Sequence, residues 1–366
     1  MHYGIITLNG CGFWGMNCRM NLEQVIDFLK NDERFLANVT HWEVIPEKAG
    51  QYEDFPDYLN PKLVSALKQK GIYRLYSHQR SALEETLANH NIVVVTPTAS
   101  GKSLCYNLPV LNSLLCDKNA RAIYLFPTKA LSQDQVSELM NIVDIMGEDI
   151  KTFTYDGDTP ADARVSIRKD GHIVVTNPDM LHTGILPHHT KWMKLFSNLK
   201  YVVIDEIHMY RGIFGSHTAN VLRRLKRICK FYGSDPIFIC CSATIANPRE
   251  LAEKLTEKPM VLIDENGAPV GKKHIIFYNP PVVNRQLGIR RSSVLESEKI
   301  SLNFIKNKIQ TIIFLRSRLM VEVLLTYLRE EMKKFPGGPN LVRGYRGGYL
   351  PRERREIEKG LRDGKI

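Results

Sequence analysis

From residue 92 onward, the chain alternates short runs of apolar, often β-branched residues with longer stretches in which apolar residues recur at helical spacing. Short, continuously apolar runs are typical of strands that are buried on both faces of a sheet. The pattern predicts strands at residues 92–96, 122–126, 152–155, 172–176, 201–204 and 237–242. Strands that alternate with helices predict an α/β fold, in which a parallel sheet carries helices on both faces.

The chain also divides into segments of different character. Residues 264–284 are rich in Gly, Pro and Asn, which is typical of a connection between domains. Beyond them the pattern predicts a strand at 311–315 and helices near 297–306, at 317–334 and from Pro351. We therefore expect an N-terminal extension at 1–60, a first domain at 61–265, a linker at 266–295 and part of a second, similar domain at 296–366.

The N-terminal residues give two further expectations. Residues 21–24, Asn-Leu-Glu-Gln, indicate the start of a helix. Met20 could be the true initiator, in which case residues 1–19 would be foreign to the native protein.

Composition and charge narrow the class of protein. The chain is 43% hydrophobic, and no apolar run approaches the roughly 18 residues of a membrane span. The net charge is +11, and residues 271–366 hold the whole excess, with 21 Lys and Arg against 9 acidic residues. This asymmetry favours a polyanionic partner such as nucleic acid, although a solvated basic face has the same composition. The seven cysteines include no CxxC pair, which argues against a zinc site and favours a reducing, cytoplasmic setting.

The strongest local motif is TPTASGKS, at residues 96–103, between a predicted strand and a helix-like stretch. It departs from the P-loop pattern GxxxxGK[ST] only at Thr96, where the first glycine belongs. Backbone N–H groups of such a loop cradle phosphate, while Lys102 can reach the β- and γ-phosphates and Ser103 can ligate Mg²⁺. The motif predicts ATP and Mg²⁺ as cofactors, and the expected ATP contacts are Thr98, Ala99, Ser100, Gly101, Lys102 and Ser103.

Two further motifs end predicted strands. In YVVIDEIH, at residues 201–208, two carboxylates follow a buried run, where Asp205 can hold Mg²⁺ and Glu206 can deprotonate an attacking water. Ser242-Ala243-Thr244 follows the last predicted strand and should lie near the same edge of the sheet. We therefore predict Lys102, Asp205 and Glu206 as the catalytic residues of a nucleotide hydrolase.

These motifs, in this order, resemble those of superfamily 2 helicases of the DEAD/DEAH class. The strings TPTASGKS, TYDGDTP, TNPDMLH, DEIHMYRGIFGSH, SATIANP and GYRGGYLPRERREIE narrow the resemblance to the bacterial mitomycin repair factor family. The resemblance implies tandem RecA-like domains and an ATP-driven DNA helicase. It also implies 3′-to-5′ movement and a role in DNA repair.

The resemblance assigns further roles, residue by residue. It makes Gln79 an adenine-reading residue, and it makes His208, Ser242 and Thr244 couple the ATP site to the DNA. The expected contacts to single-stranded or partly duplex DNA are Pro127, Thr128, Lys129, Thr176, Asn177, Asp179 and Arg316. A basic, glycine-containing loop adds Arg346 and Gly347 to these contacts, because such a loop can follow a phosphate backbone.

The sequence stops before the last helicase motifs of the family, including the one that supplies an arginine finger. Loss of an arginine finger costs about 10³ to 10⁵ in rate, so we expect little ATP hydrolysis and no unwinding by this chain. Two alternatives remain: an RNA-remodelling DEAD-box ATPase, and a fragment that binds ATP and nucleic acid without turnover.

Overall fold

The computed structural model describes residues 19–335 and 337–366, and these residues form two compact units. The first, which we call the sheet unit, is Pro46–Lys272. The second, which we call the composite unit, combines residues 19–45 with Lys273–Ile366. The first eighteen residues, including most of the possible foreign extension, lie outside the described part.

The strands of the described residues are short and lie in both units. In chain order they are β1 (Val39–Ile45), β2 (Tyr52–Glu53), β3 (Leu75–Tyr76), β4 (Ile92–Val95), β5 (Arg121–Leu125), β6 (Thr152–Thr154), β7 (Ile173–Thr176), β8 (Leu199–Ile204), β9 (Ile237–Ser242), β10 (Val261–Ile263), β11 (Lys273–Tyr278), β12 (Val282–Asn284) and β13 (Ile289–Arg290).

The α-helices separate most of these strands. In chain order they are α1 (Leu22–Asn31), α2 (Glu33–Leu36), α3 (Pro61–Gln69), α4 (Ser77–Leu87), α5 (Lys102–Cys116), α6 (Lys129–Met146), α7 (Ala161–Asp170), α8 (Pro178–Met180), α9 (Met193–Ser197), α10 (Gly212–Phe231), α11 (Pro248–Thr256), α12 (Ser293–Ile305), α13 (Arg318–Met332), α14 (Gly338–Leu341) and α15 (Pro351–Arg362). A π-helical turn spans Leu181–Ile185, and 3₁₀ turns span Leu186–Trp192 and Ile207–Met209.

The sheet unit is built on seven parallel strands in the order β10-β4-β9-β8-β5-β7-β6. All six strands predicted from the apolar runs are present, and the predicted α/β fold is confirmed. The pattern missed β10 because three residues are too few to show a period. No helix of the described residues is long and apolar enough to cross a membrane.

Both faces of this sheet are buried, which explains the continuously apolar strands. Ile92 and Val94 of β4 contribute to the core on one face, and Val93 and Val95 contribute to the core on the other. Because successive side chains of a strand point to opposite faces, a strand covered on both sides needs an apolar residue at every position.

The composite unit corrects two predicted boundaries. Its helix α1 begins as predicted, with Asn21 and Gln24 forming a reciprocal capping box. However, residues 19–45 are not a separate extension, because β1 pairs antiparallel with β11. The predicted linker at 266–295 therefore contains a strand of this unit, and it also contains the hairpin of β12 and β13. Sequence distance hid this pairing, since the two partners are more than 200 residues apart.

The strand predicted at residues 311–315 does not form in the described structure. Phe314 is 91% exposed, and Ile312 is also exposed. An apolar run becomes a strand only when a neighbouring strand accepts and donates its ladder hydrogen bonds. Among the described residues no strand lies beside this segment. The helices predicted on either side of it are present as α12 and α13.

The buried face of α10 gives a test of the sheet unit. Leu222 is fully buried, and Leu222→Ala is expected to lower the free energy of unfolding by about 2–5 kcal/mol, because it leaves a cavity. Ile213 lies on the same helix but is 80% exposed, and Ile213→Ala should change that free energy by less than about 0.5 kcal/mol. Urea unfolding measures both, and equal losses would contradict this placement of the helix.

Candidate functional site

The candidate site lies in the sheet unit, at the carboxyl ends of β4, β9 and β8. These strands are direct neighbours, with β9 in the middle. The residues that follow β4 form the predicted phosphate-binding motif, and those that follow β8 are Asp205 and Glu206. Strand β9 ends at Ser242, whose Cα is paired with that of Val95 at the end of β4. Parallel pairing therefore brings the three predicted motifs to one edge of the sheet.

The loop between β4 and α5 is closed by its own side chains. Thr96, the departure from the glycine pattern, is fully buried, and its hydroxyl lies 2.6 Å from that of Ser100. Ala99 and Gly101 have φ values of 62° and 76°, in the left-handed region. These two positions turn the chain into α5, whose first backbone N–H groups have no partner within the helix and suit an anion. Thr96 thus supports the turn in place of the missing glycine.

Lys102 folds back over this loop. Its Nζ donates hydrogen bonds to the carbonyl oxygens of Thr96, at 2.7 Å, and of Pro97, at 2.8 Å. The ammonium is therefore held against the predicted phosphate-binding loop, and a bound phosphate would replace two neutral acceptors by a charged one. Ser103 follows at the second residue of α5 and is partly exposed.

Gln79 and His78 hold the loop from the side of α4. Gln79 is 2% exposed, its Nε2 donates to the carbonyl of Gly101 at 3.0 Å, and its Oε1 accepts from the N–H of Tyr76. A side-chain carbon on Gly101 would lie only 2.6 Å from that Nε2, which is a second reason for glycine there. Both ends of the amide are thus engaged with backbone in this structure. The adenine-reading role of Gln79 stays a prediction.

His78 was missed by the sequence reasoning. Its Nε2 lies 3.1 Å from the carbonyl of Ser100, and its Nδ1 accepts from the N–H of Gly267 at 3.2 Å. This pattern requires the neutral tautomer that carries a proton on Nε2. Burial lowers the pKa of His78, which favours the same neutral form. Only its position next to Gln79 could have suggested that it supports the loop.

Asp205 continues β8 by one residue, and its N–H donates to the carbonyl of Leu125. The side chain is buried, and burial together with the adjacent charge of Glu206 raises its pKa to about 6. The positive charge of Lys102 acts in the opposite direction on the same carboxyl, so the two groups lie within electrostatic reach of each other. A buried carboxylate without a cation partner is costly, and a bound metal ion would remove that cost.

Glu206 has a strained backbone and an unsatisfied side chain. Its φ of 53° lies in the left-handed region, which is uncommon for a residue with a side chain. Its Oε2 is buried without a hydrogen-bond partner among the described residues, although Nδ1 of His208 lies 3.2 Å away. That Nδ1 accepts from the N–H of Ala243 at 3.4 Å, so it has no proton for the carboxylate. The oxygen is left available to bind a water molecule.

His208 connects the motif at the end of β9, Ser242-Ala243-Thr244, to the acid pair that follows β8. The contact between Ala243 and His208 links the end of β9 to the residues after β8. The hydroxyl of Ser242 is buried and has no hydrogen-bond partner among the described residues, whereas Thr244 is exposed. A cavity of about 730 Å³ beside the loop is lined by Pro97 and Thr244. The geometry is compatible with the predicted coupling role, which remains a prediction.

The predicted DNA contacts of the sheet unit lie at the other half of the same edge, after β5 and β7. Thr128 and Asp179 are exposed, and Pro127 is partly exposed. The hydroxyl of Thr176 is buried and donates to the carbonyl of Tyr155 at 2.7 Å, and Asn177 caps α8 by accepting from Met180. The latter two side chains therefore shape the local backbone. The side chain of Lys129 is outside the described structure.

The other predicted contacts belong to the composite unit. Arg316 and Gly347 are exposed. Arg346 is not free, because its Nε donates to Oε1 of Glu322 at 2.6 Å. The sequence did not indicate this ion pair, since its partners are 24 positions apart on different elements.

Residues 76–251, which include every motif of the sheet unit, match the DEAD/DEAH box helicase family. Within these residues the chain therefore resembles a DEAD/DEAH box helicase domain. It is 59% identical over 348 residues to the uncharacterized ATP-dependent helicase YprA of Bacillus subtilis strain 168, covering 95% of this chain and 46% of that protein. The chain thus spans about half the length of this curated relative.

Solved structures of helicases also match most of this chain. The DUF1998 helicase MrfA bound to DNA and AMPPNP is 58% identical, with a TM-score of 0.90, and the match covers 95% of this chain and 48% of that one. The helicase Lhr of Mycobacterium smegmatis bound to ssDNA and AMP-PNP matches at 20% identity and a TM-score of 0.67, over 86% and 41% of the two chains. The second likeness shows the RecA-like fold alone.

The pKa of Asp205 predicts how pH affects the stability of the helicase domain. Because this pKa is about 6 in the folded state and 3.8 for an unperturbed aspartate, the folded state holds more protons between these values. Stability is therefore expected to fall as pH rises from about 4 to about 6. Asp205→Asn should remove this fall, raising Tm at about pH 8 and leaving it unchanged at about pH 3.5. Thermal unfolding without nucleotide measures this, and equal pH profiles for both proteins would contradict it.

Proposed function

We propose that this chain is the ATP-binding and DNA-binding portion of an ATP-dependent DNA helicase. The observation that carries the proposal is the convergence of Lys102 with Asp205 and Glu206 at the ends of β4 and β8. A phosphate-binding lysine and an acid pair, of which Asp205 is buried and Glu206 partly buried, form at one sheet edge the arrangement that nucleotide hydrolysis needs. By family resemblance we extend the proposal to 3′-to-5′ translocation and to a role in DNA repair.

The residues present fit a nucleotide with Mg²⁺. The loop offers free N–H groups at the start of α5, and the buried oxygens of Glu206 and Ser242 lack partners among the described residues. Ser103 and Asp205 would hold the ion, which when bound neutralises charge that develops on the phosphates. Lys102 would release its two carbonyl acceptors and bind phosphate oxygens.

Asp205 and Glu206 lie in different environments, which suit them to different roles. Asp205 is buried beside Lys102 and is suited to a permanent cation, whereas the free oxygen of Glu206 can accept a proton from water. The strained backbone of Glu206 keeps that oxygen close to His208 and thereby to the residues after β9. This connection gives a structural route by which the state of the nucleotide could reach Thr244.

DNA is the proposed polymer because the similar structure of MrfA contains DNA, and because the net positive charge lies in residues 271–366. The exposed residues after β5 and β7 are the proposed contacts in the sheet unit. Arg316, Arg346 and Gly347 are the proposed contacts in the composite unit.

Nucleotide binding tests the roles of the lysine and the acid pair. Lys102→Ala should abolish binding of AMPPNP with Mg²⁺, because it removes the charge that meets the phosphates. Glu206→Gln should leave that affinity within about twofold, and should lower any ATP hydrolysis by about 10² or more, since it removes the base. Isothermal titration calorimetry and a phosphate-release assay measure these effects.

Lys118→Ala is a matched control, because this exposed lysine lies beyond the end of α5. It should bind the nucleotide as the wild type does. Normal hydrolysis by Glu206→Gln would remove Glu206 from its proposed role. Normal binding by Lys102→Ala would contradict the nucleotide site itself.

The choice of polymer is tested with single strands of DNA and RNA that share one sequence. We expect tighter binding to DNA, with an affinity that falls steeply between about 50 and 200 mM salt. Fluorescence anisotropy at several salt concentrations measures both properties. Equal or tighter binding to RNA would favour the RNA-remodelling alternative, since recognition of the 2′-OH distinguishes the two polymers.

A further inference from the structure

The basic loop of the composite unit contains a tight turn that places two side chains together. The N–H of Tyr349 donates to the carbonyl of Arg346 at 3.1 Å, so residues 346–349 form a β-turn with Gly347 and Gly348 at its centre. The first and fourth residues of such a turn are close in space. The guanidinium carbon of Arg346 accordingly lies 4.8 Å from the ring centroid of Tyr349. The planar guanidinium is thereby supported on an aromatic ring.

Glu322 of α13 accepts hydrogen bonds from the side chains of Arg346 and Tyr349. Its Oε1 accepts from Nε of Arg346 at 2.6 Å and from the hydroxyl of Tyr349 at 3.0 Å. The hydrogen bonds from Arg346 and Tyr349 lower the pKa of Glu322, so it is a carboxylate at neutral pH. This acidic residue of α13 therefore lies against the basic loop, where it subtracts charge from a surface that is expected to bind a polyanion.

The segment that carries the turn is itself fixed on α13. Nε of Arg329 donates to the carbonyl of Val342 at 3.3 Å, and Gly344 is buried. A side-chain carbon on Gly344 would lie 3.0 Å from Cδ2 of Leu325 and 2.6 Å from the hydroxyl of Tyr349. The close approach at Gly344 aligns the turn with Glu322.

The two central glycines lie next to two different arginines. A side-chain carbon on Gly348 would overlap Nη1 of Arg346, and one on Gly347 would lie 3.7 Å from Nη2 of Arg318. Arg318 is exposed, and no hydrogen bond or ion pair to it is present among the described residues. Among the described residues, the hydrogen bond from Arg346 to Glu322 is donated by Nε. Donors of both guanidinium groups are therefore available beside consecutive glycines.

We propose that Arg318 and Arg346 form one site for a phosphate of the nucleic-acid backbone, and that Glu322 is the positioning residue that orients Arg346 for it. This inference rests on the proposed function and names the site at which the composite unit binds the nucleic acid. The glycines leave room for the phosphate to approach the turn, and the guanidinium of Arg346 lies against the ring of Tyr349. Glu322 accepts from Nε of Arg346, and Nη1 of the same guanidinium lies beside Gly348.

The proposal predicts an effect opposite in sign to that of simple electrostatics. If Glu322 acted only through its charge, its removal would tighten binding to a polyanion. If it positions Arg346, then Glu322→Ala should weaken binding of a single-stranded thymidine oligomer by roughly tenfold and reduce the salt slope by about 0.7, the share of one phosphate. Glu322→Gln keeps an oxygen acceptor and should bind within about twofold of the wild type.

Three further variants separate positioning from charge and from folding. Gly348→Ala changes no charge but displaces Nη1 of Arg346, and it should weaken binding as Glu322→Ala does. Arg318→Ala should also weaken binding and reduce the salt slope, because it removes the second guanidinium. Glu331→Ala is the control, since Glu331 is on the same helix, is similarly exposed and pairs with Lys334 at 3.0 Å. It should bind as tightly as the wild type or slightly more tightly.

Fluorescence anisotropy over a salt series and thermal unfolding of every variant complete the experiment. Weaker binding by Glu322→Ala and Gly348→Ala, with a smaller salt slope and an unchanged Tm, supports the proposal. Unchanged or tighter binding by Glu322→Ala overturns it, and so does weaker binding that is accompanied by a lower Tm and an unchanged slope. If the wild type itself bound no single strand at low salt, the proposed function would fail and this site with it. Failure of the variants alone would leave the proposed function intact.

Discussion

The parallel pairing of β4, β9 and β8 is the constraint on which the candidate site depends. Each strand ends in a motif that has little meaning alone, namely a lysine-bearing turn, two carboxylates, and a small hydroxyl residue. Hydrogen bonding of three neighbouring parallel strands fixes their relative height, so their carboxyl ends must lie side by side. Apart from Lys200 near the start of β8 and Ser242 at the end of β9, these strands carry aliphatic, aromatic or cysteine side chains, because both sheet faces are buried. The chemistry is therefore confined to the edge.

Hydrogen bonds within the protein organise this edge of the sheet. Gln79 and His78 hold the backbone of the phosphate loop through the carbonyls of Gly101 and Ser100, and Lys102 is held by two carbonyls of its own loop. On the other side, Glu206 has a left-handed backbone and a buried Oε2 without a hydrogen-bond partner among the described residues, and burial raises the pKa of Asp205. A loop held by these hydrogen bonds, near an electrostatically unfavourable acid pair, supports the proposed binding of a nucleotide with its metal ion, since that ligand would offset the repulsion.

The composite unit uses a different principle. Its arginines are arranged by a β-turn and by one helix, with an acidic side chain as the organiser. Its negative charge alone would make Glu322 unfavourable for a nucleic-acid partner, yet it accepts one hydrogen bond from Arg346 and a second from Tyr349, whose ring lies against that arginine. Orientation of a planar guanidinium matters because its donors lie in a rigid fork, whereas an exposed arginine without a partner samples many directions.

Many features of this protein could be predicted from residues that are close together in the sequence. The six apolar runs, the loop at 96–103, the acid pair at 205–206 and the cap at Asn21 are local patterns, and local backbone preferences and burial decide them. The structure alone decided the pairing of β1 with β11, the absence of a strand at 311–315, the support of the loop by His78, and the contact of Glu322 with Arg346. Each of these depends on partners that are distant along the chain or on another element. No local pattern encodes them, because a hydrogen bond or a ladder forms only when folding brings both partners together.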